Sequence, residues 1–214
     1  MIVSHERKFI LFVDPLGAGQ AVADSLSPWV DSDLRGGGKD HFRPDMSPNE
    51  AEWAFDASGL AFRSYARIAL VEHPFTRIAR LFDRIQTQDR LWRLRQTSGL
   101  LPPKFNSWLS SITPNGRGAA GRRGPAWRRF GAWSAKCWMA DLINYPIRLE
   151  YLEQDLTPVL SELGIAPALD YAPHSVYEGW EDLFDARATR LMHSRYSWDM
   201  AQFDYSFQPV QTAA

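Results

Sequence analysis

Three short apolar runs, separated by long helical patterns, constrain the fold more than any other feature of this chain. The runs are Lys8–Val13, Arg67–Val71 and Pro146–Leu149, and their aromatic and branched residues are typical of buried strands. Strands joined by long crossover connections pair in parallel. The sequence therefore predicts an α/β fold, in which a central parallel sheet forms the middle of a three-layer sandwich.

Helix signals lie between and after these runs. Ser47, Pro48 and Glu50 form a capping-box sequence that starts a helix, and an apolar face at helical spacing follows Pro74. Further helices are predicted over Gln20–Leu26, Trp127–Leu142, Leu152–Leu163 and the residues after Asp185. Segments near 31–47 and 99–125, rich in glycine and proline, are predicted to be mobile loops within a single domain of residues 1–214.

Charge is distributed unevenly along a chain whose net charge is −1. Residues 1–89 carry a net charge of −3, residues 90–140 carry +10 without any Asp or Glu, and residues 141–214 carry −8. A basic block of this kind attracts an anion, such as a phosphorylated cofactor, an anionic substrate or nucleic acid. Alternatively, it folds against the acidic last third of the chain and is neutralised there. No RNA- or DNA-binding module is recognisable, which disfavours nucleic acid as a partner.

Cysteine count and hydropathy exclude several classes of protein. The single cysteine, Cys137, rules out an intrachain disulfide framework and a Cys-rich zinc site. The longest strongly apolar run, Phe9–Val13, is far shorter than the roughly 18–20 residues that cross a bilayer. His174 and His193 lack the spacing of metal ligands. We therefore expect a cytoplasmic protein with no metal cofactor and no membrane partner.

A glycine bend follows the first predicted strand and precedes a helix. Strand, glycine turn and helix together build an anion site, because backbone N–H groups at the helix start point at the ligand. Two familiar fingerprints are absent. Asp14–Gln20 contains no phosphate loop with a terminal Gly-Lys-Ser/Thr, and Gly17 and Gly19 lack the third glycine of a nicotinamide site, where Val22 stands. A simple tight turn is the alternative interpretation.

Four segments in a fixed order give the chain a family resemblance. They are Asp14–Ala21, Val71–Arg80, Leu149–Asp155 and Tyr196–Tyr205. In this order the chain resembles the sulfotransferases that use 3′-phosphoadenosine-5′-phosphosulfate (PAPS), in the group that includes bacterial and carbohydrate enzymes. The resemblance runs from about residue 8 to 205 and implies a P-loop NTPase-like sulfotransferase fold with PAPS as cofactor.

The resemblance also implies roles for particular residues. The first bend would hold the 5′-phosphosulfate of PAPS, and the strand–helix junction from Glu72 to Arg80 would hold the 3′-phosphate. The implied chemistry is transfer of a sulfuryl group to a hydroxyl or amine of a carbohydrate or small-molecule acceptor. The implied cofactor-binding residues are Pro15, Leu16, Gly17, Ala18, Gly19, Gln20, Glu72, Arg77 and Arg80.

Several of these positions depart from the family pattern. Leu16 stands where the family has a lysine that bridges the transferring group, and losing one such donor costs about 3–4 kcal/mol of transition-state stabilisation. Glu72 replaces the arginine that binds the 3′-phosphate, and Arg80 replaces its partner serine. In one interpretation Arg80 reaches the phosphate and Glu72 holds its guanidinium. In the other, these two side chains form an internal ion pair that fills the pocket.

The remaining candidates lie in the predicted loops. The resemblance implies that His41 would act as the base that takes the acceptor proton, with an exposed loop histidine of no function as the alternative. An acceptor-binding cluster of arginines beside a tryptophan is predicted from Arg122, Arg123, Trp127 and Arg128. Two functions therefore stay open: a PAPS-dependent sulfotransferase, or a catalytically degenerate homologue that acts as a binding or scaffolding protein.

Overall fold

The computed structural model of the protein describes residues 1–13, 16, 19–30, 42–43, 46–88, 104–112, 131–166 and 180–206. These residues belong to two compact units. Unit 1 lies within residues 1–72 and 135–174, and unit 2 lies within residues 73–134 and 175–214. The prediction of a single domain over residues 1–214 stays a prediction.

Four strands and eight α-helices lie along the described residues. In chain order they are β1 Ile2–Ser4, β2 Phe9–Phe12, α1 Gln20–Ser25, α2 Pro48–Ala57, β3 Ala66–Val71, α3 Pro74–Gln88, α4 Phe105–Ser111, α5 Ala135–Met139, β4 Tyr145–Arg148, α6 Leu152–Glu162, α7 Ala186–Arg195 and α8 Ser197–Gln202. Short 3-10 helices occupy Ser27–Trp29, Phe62–Ser64, Ala140–Leu142, Leu149–Tyr151 and Trp180–Leu183.

Unit 1 contains a four-stranded sheet in the order β1-β2-β3-β4. β2, β3 and β4 run parallel, with Phe12 opposite Ala69 and Val71 opposite Arg148. β1 pairs antiparallel with β2, so the sheet is mixed rather than wholly parallel. The α/β prediction is confirmed. The prediction of a wholly parallel sheet is wrong in one respect, because it missed the antiparallel strand β1. β1 is only three residues long, which is too short to show a periodic pattern.

One face of this sheet packs against α1 and α6. Phe9 and Leu11 of β2 alternate with Ile10 and Phe12, and they join Leu70 of β3 in a buried cluster. The helices add their apolar faces to it through Val22, Ala23, Leu156, Val159 and Leu160. Ile10 and Ala69 on the opposite face are also fully buried. Burial on both faces is typical of parallel strands and explains why β2 and the last four residues of β3 are continuous apolar runs.

The predicted helix boundaries of unit 1 agree closely with the structure. Ser47 accepts a hydrogen bond from the Glu50 amide, and the Glu50 side chain accepts one from the Ser47 amide, so the capping box of α2 is complete. α6 ends before Gly164, whose φ of +66° permits the left-handed turn that closes the helix. The helix predicted over Trp127–Leu142 is wrong at its start, because residues 131–134 form a turn and bend and α5 begins at Ala135.

Unit 2 is built from α3, α4, α7 and α8 around an aromatic core. Phe75 lies 4.9 Å from Phe184 between ring centroids, Phe105 lies 4.8 Å from Phe184, and Phe82 lies 5.0 Å from Trp108. α4 falls within the segment 99–125 that the sequence predicts as a mobile loop. Its buried residues are Phe105, Trp108 and Leu109. This spacing of three and four residues is a helical signal that the surrounding glycines and prolines obscured.

Candidate functional site

The carboxyl ends of β2, β3 and β4 meet at the same edge of the unit 1 sheet, because these three strands are parallel. Ligands of open α/β sheets bind at this edge. The residues that follow the strands there are Leu16 and Gly19 after β2, Glu72 after β3 and Leu149 after β4. Three of the four segments that carry the family resemblance therefore begin at this edge, which makes it the candidate site.

Gly19 determines how the first bend returns to the sheet. Its φ is +80°, in the left-handed region that glycine adopts without strain. A Cβ built on Gly19 would overlap Cδ1 of Leu70 and lie 3.2 Å from Cδ2 of Leu149. The Gly19 carbonyl accepts the first hydrogen bonds of α1, from Val22 at 3.0 Å and from Ala23 at 3.2 Å. The glycine thus permits both the turn and the close packing of α1 on the sheet.

Leu16 and Gln20 are the other described members of the bend. Leu16 stands at the lysine position of the resemblance and is only 7% exposed. Gln20 is exposed, and its amide donates to Oδ1 of Asp24, one turn later in α1, at 3.0 Å. Neither leucine nor glutamine carries a positive charge that could attract an anion.

Glu72 follows β3 directly, at the position of the phosphate-binding arginine in the resemblance. It is 9% exposed, so a carboxyl group is buried at the sheet edge where the family pattern has a cation. A carboxylate about 4 Å from a phosphate is repelled by roughly 1–4 kcal/mol at surface-like dielectric. If a phosphate were bound here as the resemblance implies, an ionised Glu72 would repel it.

The third strand end is fixed by an ion pair between Arg148 and Asp155. Arg148 Nε and Nη2 donate to the two carboxylate oxygens of Asp155, each at 2.8 Å, and the Arg148 amide donates to Oδ2 at 3.1 Å. Burial, the largest single influence, raises the pKa of Asp155, but the hydrogen bonds and charge of Arg148 together outweigh it and hold the pKa below its usual value. The pair connects β4 to the first turns of α6.

Arg77 lies in unit 2, on α3, and has partners inside that unit. It is 5% exposed, its Nη2 donates to the carbonyl oxygen of Trp133, and the same atom lies 4.0 Å from Oδ2 of Asp199. Ser134 donates its hydroxyl to the other Asp199 oxygen at 2.7 Å. These contacts make Arg77 part of a buried polar cluster, and its predicted role in holding a phosphate stays a prediction.

Sequence reasoning missed the other members of this polar cluster. Tyr196 donates its hydroxyl to the Ala132 carbonyl at 2.7 Å, and its ring centroid lies 5.8 Å from the Arg77 guanidinium carbon. A signal was present, because Tyr196 and Asp199 both belong to Tyr196–Tyr205, the last of the four segments that carry the resemblance. Arg80, half-buried on α3, stands one turn after Arg77. The proposed exchange or pairing of Arg80 with Glu72 stays a prediction.

His73 is buried at the start of unit 2. Its Nε2 donates to the Ser206 carbonyl at 2.6 Å, which makes Nε2 the protonated nitrogen of the neutral ring, and the ring centroid lies 4.9 Å from that of Tyr205. Burial lowers the pKa of His73, the hydrogen bond to Ser206 opposes the shift, and the charge of His193 adds to it. His73 is therefore a structural residue that ties the start of α3 to the segment after α8.

Eight of the predicted site residues lie outside the part of the chain that the structure describes. These are Pro15, Gly17, Ala18, His41, Arg122, Arg123, Trp127 and Arg128. The catalytic role of His41 and the acceptor-binding role of the arginine cluster are therefore untested predictions. Most of the loop segments 31–47 and 99–125 likewise fall outside the described ranges.

Comparisons with known proteins add no relative. No model of a known protein family matches the chain, and neither a curated protein sequence nor a solved structure does. Within the described residues, three or more His, Cys, Asp or Glu side chains are nowhere grouped so that they could hold a metal ion. No helix in those ranges is long and apolar enough to cross a membrane.

Proposed function

We propose that this chain is a protein of the P-loop-like sulfotransferase fold that has kept the architecture of the donor site and lost the charges needed for sulfuryl transfer. It acts as a binding or scaffolding protein. What supports this is the burial of Leu16 and Glu72, which occupy the lysine and arginine positions of the resemblance. Together these two changes remove two positive charges and add one negative charge beside the expected phosphates.

The size of the effect follows from these replacements. The missing lysine removes about 3–4 kcal/mol from the transition state, which is two to three decades in rate. The Glu72 carboxylate adds a repulsion of roughly 1–4 kcal/mol toward a bound phosphate. The Nη2 group of Arg77, another residue that the resemblance assigns to the phosphate, is already engaged by partners within unit 2.

A second candidate is active PAPS-dependent sulfuryl transfer. The specific observation in its favour is Gly19, whose left-handed conformation keeps the bend after β2. The predicted base for this reaction is His41, and the predicted acceptor site is the arginine cluster of residues 122–128. This candidate requires another cation in the role of the missing lysine.

Calorimetric titration with adenosine 3′,5′-bisphosphate (PAP), followed by transfer of radiolabelled sulfuryl to glycans and small alcohols, separates the candidates. We expect no transfer by the unmodified protein. The Leu16→Lys variant should bind PAP more tightly than the unmodified protein, because it restores the cation at the bend. Trp53→Lys, on the exposed face of α2 at 64% exposure, is the control for an added charge elsewhere.

Each outcome decides between the candidates. Transfer by the unmodified protein would overturn the proposal and establish the enzyme. A folded Leu16→Lys variant that binds no better than Trp53→Lys would refute the claim that the donor-site architecture is kept. If Leu16→Lys fails to fold, Gln20→Lys places the cation on the exposed first residue of α1 and is judged by the same comparison.

A further inference from the structure

An open groove of about 400 Å³ lies in unit 2 along α7. Arg187, Arg190 and Arg195 of α7 line it together with Leu191, Ser194 and Ser110. The α7 residues are spaced by three, four, seven and eight positions, so they share one side of the helix. The described residues of this lining supply three guanidinium groups and two hydroxyls, and none of them is a carboxylate.

Arg195 forms a fixed wall of this groove. Its Nη1 donates to the Leu109 carbonyl at 2.6 Å, and its Nη2 donates to the Ser110 carbonyl at 3.2 Å. These carbonyls belong to the last turn of α4, where unpaired acceptors and the negative end of the helix dipole favour a cation. The guanidinium is therefore held in one orientation, and its remaining N–H donors are pre-positioned.

Arg187 and Arg190 are exposed and have no carboxylate partner within 4 Å among the residues that the structure describes. Two like charges three residues apart on a helix repel, and Arg187 stands in the first turn, where the helix dipole disfavours a cation. The N-cap Asp185 does not compensate them directly, because its oxygens accept from the Ala188 amide at 2.7 Å and from Asn106 Nδ2 at 2.6 Å.

We propose that this groove, which we call the arginine groove, binds a small organic phosphate: a phosphate monoester dianion carried on an apolar body. Guanidinium groups bind such dianions through paired N–H donors, and the free hydroxyl of Ser194 adds a further donor. Leu191 and the aliphatic stems of the arginines provide an apolar wall for the ester group. The volume lies within the range of small-molecule sites.

Phenyl phosphate is the probe, with inorganic phosphate and a sulfated polysaccharide as comparison ligands. Calorimetry at low salt should show one saturable site for phenyl phosphate with a dissociation constant of about 1 mM or tighter. Arg187→Gln combined with Arg190→Gln should weaken this binding by about tenfold or more, since two charged donors are lost. The urea midpoint of that double variant should not fall, because neither arginine loses a carboxylate partner among the described residues and their mutual repulsion is relieved.

Arg43→Gln combined with Arg63→Gln is the charge-matched control, since both arginines are exposed in unit 1 and pair there with Glu50 and Glu52. It should leave phenyl phosphate binding unchanged. Leu191→Ala should reduce the preference for phenyl phosphate over inorganic phosphate. Three results would overturn the proposal: no saturable binding at about 10 mM phenyl phosphate, equal binding by the double arginine variant, or binding of the polysaccharide alone. The last result would identify the groove as a surface for polyanions instead.

Discussion

Replacing Gly19 by alanine tests whether the bend after β2 is built around a glycine. Two costs follow from the structure. At φ +80° an alanine is strained by about 1–2 kcal/mol. Its Cβ would also overlap Leu70 Cδ1 in a closely packed core, and overpacking of this kind costs about 1–3 kcal/mol. We expect Gly19→Ala to lower the free energy of unfolding by about 2–5 kcal/mol.

Gly59 provides a matched control in the same unit. It has a φ of +71°, and a Cβ built on it meets no atom within 4 Å. Gly59→Ala therefore carries the conformational strain without the overlap and should cost about 1–2 kcal/mol. The difference between the two variants isolates the packing of α1 against Leu70.

Urea unfolding followed by tryptophan fluorescence and far-ultraviolet circular dichroism measures both values. A second variant, Gly19→Ala combined with Leu70→Ala, removes the atom that the new Cβ overlaps. In that background the additional cost of Gly19→Ala should fall to the Gly59 value. Equal costs for Gly19→Ala and Gly59→Ala in the unmodified background would refute the reasoning.

Three further predictions concern buried ionisable groups. Asp199→Asn should lower the free energy of unfolding by about 3–5 kcal/mol, because it removes the charge opposite buried Arg77. The exposed control Asp204→Asn should lower it by less than about 0.5 kcal/mol. Similar values for the two variants would contradict the prediction. The pKa of His73 is lowered in the folded protein, so as the pH falls the unfolded chain takes up a proton at this histidine before the folded protein does. The free energy of unfolding should therefore decrease as the pH drops below about 6.5, by at most about 1.4 kcal/mol per pH unit. Urea midpoints of His73→Phe should lose this dependence, and an unchanged slope would assign it to another group. The lowered pKa of Asp155 stabilises the folded protein above about pH 4, and this stabilisation is lost as the pH falls through the pKa that Asp155 has in the folded protein. On acid titration, Asp155→Asn should lose less stability than the unmodified protein. An equal loss of stability would refute the contribution of Asp155.

Much of unit 1 could be predicted from the sequence because its signals are local. The strand after Lys8 and the capping box at Ser47 each depend on a few neighbouring residues whose preferences agree with their tertiary surroundings. Asp185 likewise caps α7 through the Ala188 amide, as its position before a helical pattern predicts. Where local preference and burial favour the same structure, the sequence alone predicts that structure.

The candidate site was less predictable, because its contacts join distant parts of the chain. The partners of Arg77 are Trp133 and Asp199, which lie dozens of residues away, and no spacing rule connects them. α4 was hidden among glycines and prolines, although Phe105, Trp108 and Leu109 carry a helical pattern. The arginine groove depends on Ser110 meeting α7, which only the tertiary structure reveals.

The position of Pro146 has a consequence for self-association. It lies in β4, the outermost strand on one side of the described sheet, and proline has no amide proton. A further strand laid along β4 by a second molecule would find a donor missing from the new ladder and a ring that obstructs close approach. On the other side the edge strand is β1, whose three residues offer few groups for a new strand to pair with. Growth of the described sheet by strand addition is therefore discouraged on one flank by a missing donor and on the other by the brevity of the edge.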